Sequence, residues 1–263
     1  MSDSEHEDLY VGSEGPIAWL VLNRPAKRNA VTFAMWQRLP ELLTAFEQNP
    51  EQKVLVVRGA GNRAFSAGAD ISEFETYRAT SEDTQGYNAA AEKAQDLLAA
   101  VSKPTIAMVQ GACVGGGCGL AMSCDVRFSD RSARFAITPA RLGLVYPVNV
   151  TKRLVDLVGP AQAKAMLYTG MTLGAERAAA LGLVNDLFAE ATIEADTTAF
   201  AETIASRAQY SVRSTKRIVD LIASGLSEEN EETLSLRAGA FDTADYREGV
   251  RAFLEKRPAV FRD

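Results

Sequence analysis

Residues 103–125, KPTIAMVQGACVGGGCGLAMSCD, constrain this chain more than any other stretch. Pro104 precedes a β-branched, apolar run from Thr105 to Val109 that suits a buried strand. Gly111 breaks the strand. Gly115, Gly116 and Gly117 then open an apolar helix over residues 118–124, which stops before Asp125. Successive glycines are entropically costly to order. They make sense where the chain turns tightly or where a ligand approaches the backbone. A helix start offers N–H groups without intrahelical partners and the positive end of the helix dipole. Such a stretch can hold a developing negative charge with no ionisable side chain. Packing of a helix against a strand accounts for the same glycines about as well. A nucleotide loop fits less well. The spacing G-x-G-x-x-G fails because Leu120 stands at its third glycine, and G-x-x-x-x-G-K-[ST] does not occur.

A chain of 263 residues with 47% hydrophobic content can bury a substantial core. Its net charge of −6 argues against nucleic acid or an anionic membrane as the main partner. No apolar run approaches the length of a membrane span, and the start, MSDSEHEDL, is acidic and polar. These features lead us to expect a cytoplasmic protein. Cys113, Cys118 and Cys124 share one apolar stretch, and their spacing matches no zinc site. They read as buried packing thiols. The only histidine is His6, so no Ser-His or Cys-His pair and no histidine-rich metal site is expected.

Strands are expected over residues 9–11, 17–22, 53–58, 105–109, 126–129 and 184–188. Thr32 is a suitable N-cap for a helix over residues 33–48, with Met35, Leu39, Leu42, Leu43 and Phe46 on one face. Further helices are expected over 88–101, 151–158, 160–168 and 175–181, the last capped by Gly182. Residues 66–71, SAGADI, form a second small-residue stretch, and residues 76–86 read as a polar mobile loop. Alternating strands and helices imply an α/β fold with a parallel sheet and crossovers. From about residue 191 only helices are expected, over 191–208, 212–224, 228–242 and 246–256. The chain thus divides into a core, residues 1–190, and a helical C-terminal part, residues 191–263.

Six pieces in order resemble the enoyl-CoA hydratase/isomerase (crotonase) superfamily: LNRPAKRNAVT (22–32), AFSAGADISEF (64–74), the glycine-rich stretch, FAITPARLG (135–143), TGMTLGAERAAALGLVN (169–185) and DYREGVRAFLEKRPAVF (245–261). The resemblance implies a crotonase-like spiral of ββα units, trimerisation through the C-terminal part as a homotrimer or a dimer of trimers, and an acyl-CoA thioester ligand. It implies no metal and no cofactor beyond the coenzyme A of the substrate. Matched residue by residue, the two N–H groups that bind the thioester oxygen are those of Ala69 and Gly116. Contacts to coenzyme A fall on Lys27 and Arg28, on Ala67, Gly68, Asp70 and Ile71, and on Phe253 and Lys256. Solvated surface charge is the competing account of Lys27, Arg28 and Lys256.

The chain also departs from the hydratases it resembles. Their two glutamates fall here at Gly119 and Ala140, and the acidic position of the dienoyl isomerases falls at Pro147. Water addition needs a proton-transfer group, which Gly119 and Ala140 cannot supply. Tyr146 remains. Around it the chain resembles methylmalonyl-CoA decarboxylase, which shares the TP…LG frame and the tyrosine but carries a histidine where this chain has Ala69. Loss of CO₂ needs no base: it leaves an enolate that two N–H groups can hold and an acid can protonate. A phenol with a pKa of about 10 is a poor base at neutral pH and a usable donor. Arg141, beside the emptied glutamate position, is a candidate partner for a substrate carboxylate. Glu73, Glu75, Tyr77 and Tyr87 are weaker candidates, and Asp70 and Asp125 read as structural caps. The preferred expectation is an acyl-CoA enzyme that passes through a thioester enolate, decarboxylase- or isomerase-like. The alternative is a non-catalytic acyl-CoA-binding protein. The glycine spacing disfavours a dinucleotide oxidoreductase.

Overall fold

A computed structural model describes residues 7–262; His6 lies outside them. One sheet holds β1 (Leu9–Glu14), β2 (Ile17–Leu22), β3 (Val54–Gly59), β5 (Thr105–Val109), β7 (Val126–Asp130) and β10 (Asp186–Phe188), in that order. A second holds β4 (Ala64–Ser66), β6 (Ala112–Val114), β8 (Arg134–Ala136) and β9 (Thr172–Gly174). The β1–β2 and β8–β9 pairs are antiparallel and the other pairs parallel. Each turn of chain adds a strand to the large sheet, a short strand to the small one, and then a helix. The units are β3–β4 with α2 (Phe74–Tyr77) and α3 (Ser81–Ala100), β5–β6 with α4 (Gly116–Met122), and β7–β8 with α5 (Val148–Thr169). This is the ββα spiral the sequence implied.

The large sheet is buried on both faces, so its strands read as continuous apolar runs. Alternate residues divide between two cores. Ala18, Leu20, Leu22, Leu55, Val57, Ala107 and Val109 face the larger, with Trp36, Leu39 and Phe46 of α1 (Phe33–Gln48). Ile17, Trp19, Val21, Val54, Val56, Ile106 and Met108 face the other. That second face is covered by Ile193, Ala201 and Ala205 of α7 (Ile193–Ala205), which follows α6 (Ala175–Ala180). The chain then continues through α8 (Gln209–Ala223), α9 (Glu231–Gly239) and α10 (Ala244–Leu254) with no further strand among the described residues.

Several boundaries differ from the sequence reading, and those of three helices bear on the site. Helix α3 starts at Ser81, not residue 88, because the Thr80 hydroxyl accepts from the Asp83 N–H and Glu82 and Asp83 occupy the first turn. The expected mobile loop is therefore largely helix. Helix α4 starts at Gly116, two residues early, since Gly115 (φ 56°) makes the turn into it. The two helices expected over 151–158 and 160–168 are both present within α5, separated at non-helical Gly159 (φ 76°, ψ 160°) ahead of Pro160, and the first of them starts three residues early, at Val148. The cysteines are free and buried, and the Cys118 thiol donates to the Cys113 carbonyl at 2.9 Å. Burial pushes the Cys124 thiol up to about 12.

Lys103 is 1% exposed, and its ammonium donates to the carbonyls of Phe46 and Asn49 at the end of α1, at 2.8 and 2.7 Å. It also lies 4.8 Å from the centroid of the Phe46 ring. The lysine ties the end of α1 to the start of the glycine-bearing segment. Lys103→Met leaves both carbonyls without that donor. We expect a loss of about 3 kcal/mol in urea unfolding, with the circular dichroism of the folded state unchanged.

Candidate active site

The Ala69 loop is clamped on both sides. The Val31 N–H donates to the Gly68 carbonyl at 2.7 Å, and the Asp70 N–H to the Val31 carbonyl at 3.0 Å. The Asp70 carboxylate accepts from Ser72 and from the Arg24 guanidinium, the latter at 2.8 Å. The Ser72 hydrogen bond leads the effects that hold its pKa below the ordinary carboxylate value, so Asp70 is a structural anchor. Buried Asn29 accepts from the Arg24 N–H and donates to the carbonyls of Ala60 and Ala64. These contacts fix the 24–30 turn against the loop. Arg28 (φ 50°) accepts the Ala67 N–H through its carbonyl, which places Lys27 and Arg28 at the surface beside the Ala69 loop. Ile71 is 68% exposed next to it.

Gly116 is the first residue of α4, so its N–H has no intrahelical partner. Among the described residues neither the Gly116 nor the Ala69 N–H meets an acceptor. The two are close. A Cβ built on Gly116 would stand 3.8 Å from the Ala69 nitrogen, and one on Gly68 would stand 3.4 Å from the Gly116 nitrogen. A Cβ at Gly116 would also meet the Trp36 ring at 3.2 Å. Both residues are half-buried, at the edge of the core.

Tyr146 closes one side. Its hydroxyl lies 3.3 Å from where a Cβ on Gly115 would be, and burial pushes its phenol well above the usual range. Its loop is pinned to α3, because Asn149 and Arg153 both donate to Asp96. An aromatic wall forms another side. The Trp36 indole donates to the buried Tyr87 hydroxyl at 3.0 Å, and Phe33 stacks on Tyr87 at 5.8 Å. Glu73 caps α1 by accepting the Phe33 N–H at 2.7 Å.

The two emptied glutamate positions differ. At Gly119 the space is filled: a Cβ there would fall 2.4 Å from Oε1 of Gln95, which is buried without a hydrogen-bond partner. Ala140 is exposed beside buried Pro139, and Pro147 is the N-cap of α5. Arg141 lies along Gly170, the left-handed residue that ends α5. Phe253 (81% exposed) and Lys256 sit on and just after α10, at the surface. Asp125 accepts from the Thr105 N–H and from Lys216, as a structural cap. A cavity of about 650 Å³ lies elsewhere, between the end of α3 and helices α8 and α9. On its wall Arg217 pairs with Glu232 and Lys216 with Asp125, while Arg213 Nε is buried with no hydrogen-bond partner.

The profile of the enoyl-CoA hydratase/isomerase family matches residues 12–263. The chain belongs to this family. Crotonyl-CoA hydratase of Syntrophomonas wolfei is 34% identical over 260 residues, covering 97% of this chain and 98% of the relative. The mitochondrial enoyl-CoA hydratase of Pongo abelii is 34% identical over 253 residues, covering 96% and 86%. A crystal structure of an enoyl-CoA hydratase/isomerase family protein from Hyphomonas neptunium superposes with a TM-score of 0.96 at 40% identity, covering 99% of each chain. An enoyl-CoA hydratase/carnithine racemase from Magnetospirillum magneticum gives 0.93 at 35%, covering 97% and 96%. The fold is thus that of the crotonase family. Within it, Gln95 and Arg78 are polar side chains at the site that the sequence alone did not single out. A Thr80 N-cap reading would have turned residues 81–87 into helix and placed Tyr87 and Gln95 two turns apart on it.

Gly68 (φ 94°) cannot take a side chain without meeting the Val114 carbonyl at 2.8 Å. Gly68→Ala is expected to destabilise the protein by about 1–3 kcal/mol, read as a lower urea midpoint.

Proposed function

We propose that this crotonase-family chain acts on an acyl-CoA thioester through an enolate held by the Ala69 and Gly116 N–H groups, and that its reaction is not ordinary water addition. The observation that carries this is the pair of acceptor-free N–H groups that lie close together where Gly68 and Gly116 bring the two backbones within contact distance. Charge that gathers on the thioester oxygen would meet two fixed donors that need no reorganisation. Such a donor contributes about 3 kcal/mol to lowering a barrier of this kind.

The choice of reaction follows from what stands around the pair. Gln95, a neutral amide that cannot take a proton, fills the place beside Gly119, and Ala140 is exposed. A carboxylate-assisted addition of water has no carboxylate at either position. Decarboxylation requires less: loss of CO₂ itself leaves the enolate, which then needs only a proton donor, whereas double-bond isomerisation would also need a base to take a proton from the acyl chain. The donor in this reading is Tyr146, whose hydroxyl lies beside Gly115. Burial disfavours the phenolate, so the hydroxyl keeps its proton beyond the ordinary pKa of a phenol. In this reading Lys27, Arg28 and the 67–71 loop border the coenzyme A, joined by Phe253 and Lys256 of the C-terminal part. The chain needs no cofactor beyond the substrate's own coenzyme A. Exposed Val219, Ile222, Val250 and Leu254 on the C-terminal helices support assembly as a homotrimer or a dimer of trimers. Among the described residues no helix is long and apolar enough to cross a membrane, and the reading places the enzyme in the cytoplasm.

Product analysis by mass spectrometry, with methylmalonyl-CoA and crotonyl-CoA side by side, tests this. We expect loss of CO₂ from the first and no hydration of the second. Hydration of crotonyl-CoA at a rate that survives Tyr146→Phe would overturn the reading. Saturable binding of a range of acyl thioesters with turnover of none would favour the non-catalytic binding protein.

The pH dependence gives a separate check. Because the Tyr146 phenol is raised, its O–H form persists as pH rises, and turnover between about pH 7 and 10 should show no alkaline fall that Tyr146→Phe removes. Tyr146→Phe itself should lower kcat by roughly tenfold or more.

A further inference from the structure

Arg78 ends α2, where its backbone N–H donates to the Phe74 carbonyl at 2.9 Å. Its side chain is half-buried, yet among the described residues its guanidinium has no carboxylate partner and no hydrogen-bond acceptor. It rests on aromatic faces instead, 4.5 Å from the Phe74 centroid and 5.2 Å from that of Tyr87. Glu75 and Glu82, on the helices either side of Arg78, form no ion pair with it. Three other acids nearby are engaged. Glu73 holds the Phe33 N–H, Asp70 holds Arg24 and Ser72, and Asp83 accepts from Thr80. A guanidinium has five N–H donors in a planar fork that matches a carboxylate, and rings on its faces leave its edge free to donate.

The position of this cation matters. Tyr87 joins Trp36 through the indole N–H, and Trp36 meets Gly116. Arg78 therefore stands on the same aromatic wall as the N–H pair, with two rings between. Its charge also reaches Tyr146 and Tyr87, where it opposes the upward push of burial on both phenols. Aliphatic acyl groups alone have no use for an unpaired cation at that place.

We propose that Arg78 receives the free carboxylate at the far end of the acyl chain, so that the substrate class is an ω-carboxyacyl thioester. The rings between Arg78 and Gly116 put this carboxylate remote from the thioester carbonyl. The proposal rests on the acyl-CoA reading above and adds to it the chemistry of the acyl end. Arg141, the residue the sequence suggested for this task, lies along the end of α5.

The test is calorimetric binding of two near-isosteric pairs, succinyl-CoA against butyryl-CoA and glutaryl-CoA against valeryl-CoA, to the full chain and to Arg78→Met and Arg78→Lys. We expect the wild type to bind at least one dicarboxylic member roughly tenfold or more tightly than its partner, as an ionic hydrogen bond warrants. Arg78→Met should bring that pair within about twofold of each other and leave the monocarboxylic members unchanged, while Arg78→Lys keeps part of the preference. Equal binding of both pairs by the wild type, or a preference that survives Arg78→Met, overturns the assignment of Arg78 and leaves the acyl-CoA reading standing. Failure of coenzyme A and of all four thioesters to bind overturns that reading and this assignment with it.

Discussion

Two backbone N–H groups from distant parts of the chain, Ala69 and Gly116, come close on a backbone packed so tightly that a side chain at Gly68 or Gly117 would strike Val114 or Ser66. Everything nearby serves that approach. The parallel pairing of β4 with β6 brings the ends of the two strands together, and each strand leads within a few residues to one donor. The Ser66 hydroxyl accepts the Gly68 N–H at 3.1 Å and turns the chain toward Ala69. Gly117 lets α4 sit directly on Ser66, where a Cβ would come within 2.7 Å. On the far side, Val31 and the Arg24–Asp70 ion pair fix the loop from outside. A donor pair fixed in this way does not have to rearrange to meet negative charge, which is what the proposed role requires of it.

The scaffold is shared with the enoyl-CoA hydratase/isomerase family, and the chemistry must come from the side chains set around the donor pair. Here those side chains are unusual in what they cannot do. An amide, a phenol held in its protonated form and a wall of Trp36, Tyr87 and Phe33 offer donors and apolar surface but no carboxylate base. The charge resting on that aromatic wall, Arg78, is positive and, among the described residues, has no carboxylate partner. Such a surround suits a reaction whose negative charge arrives with the substrate and passes into the thioester oxygen.

Much of this was legible in the sequence because it depends on local rules. The Thr32 cap and the spacing of Met35, Leu39, Leu43 and Phe46 define α1 over the span observed, Phe33–Gln48. The continuous apolar runs of β2, β3 and β5 announce a sheet covered on both faces. Family motifs, not periodicity, located Ala69 and Gly116. What stayed hidden lies in contacts between segments. Gln95 meets Gly119 across two helices, and no spacing rule links them. Arg78 sits in a polar stretch that reads as solvated, and only the fold shows its faces covered by Phe74 and Tyr87. Helix α3 gained its first two turns from one threonine hydroxyl, a signal that was present and went unused.

The most direct test of the donor pair is isotope-edited infrared spectroscopy of a bound thioester carrying ¹³C in its carbonyl, with an acyl group that does not react. Two N–H groups aimed at the oxygen should polarise the bond and move its stretch to lower frequency than in free solution. The shift should vanish when Gly116→Val places a side chain between donor and ligand. A carbonyl stretch unchanged on saturation of the protein would contradict the account, because the thioester oxygen would then lie away from Ala69 and Gly116.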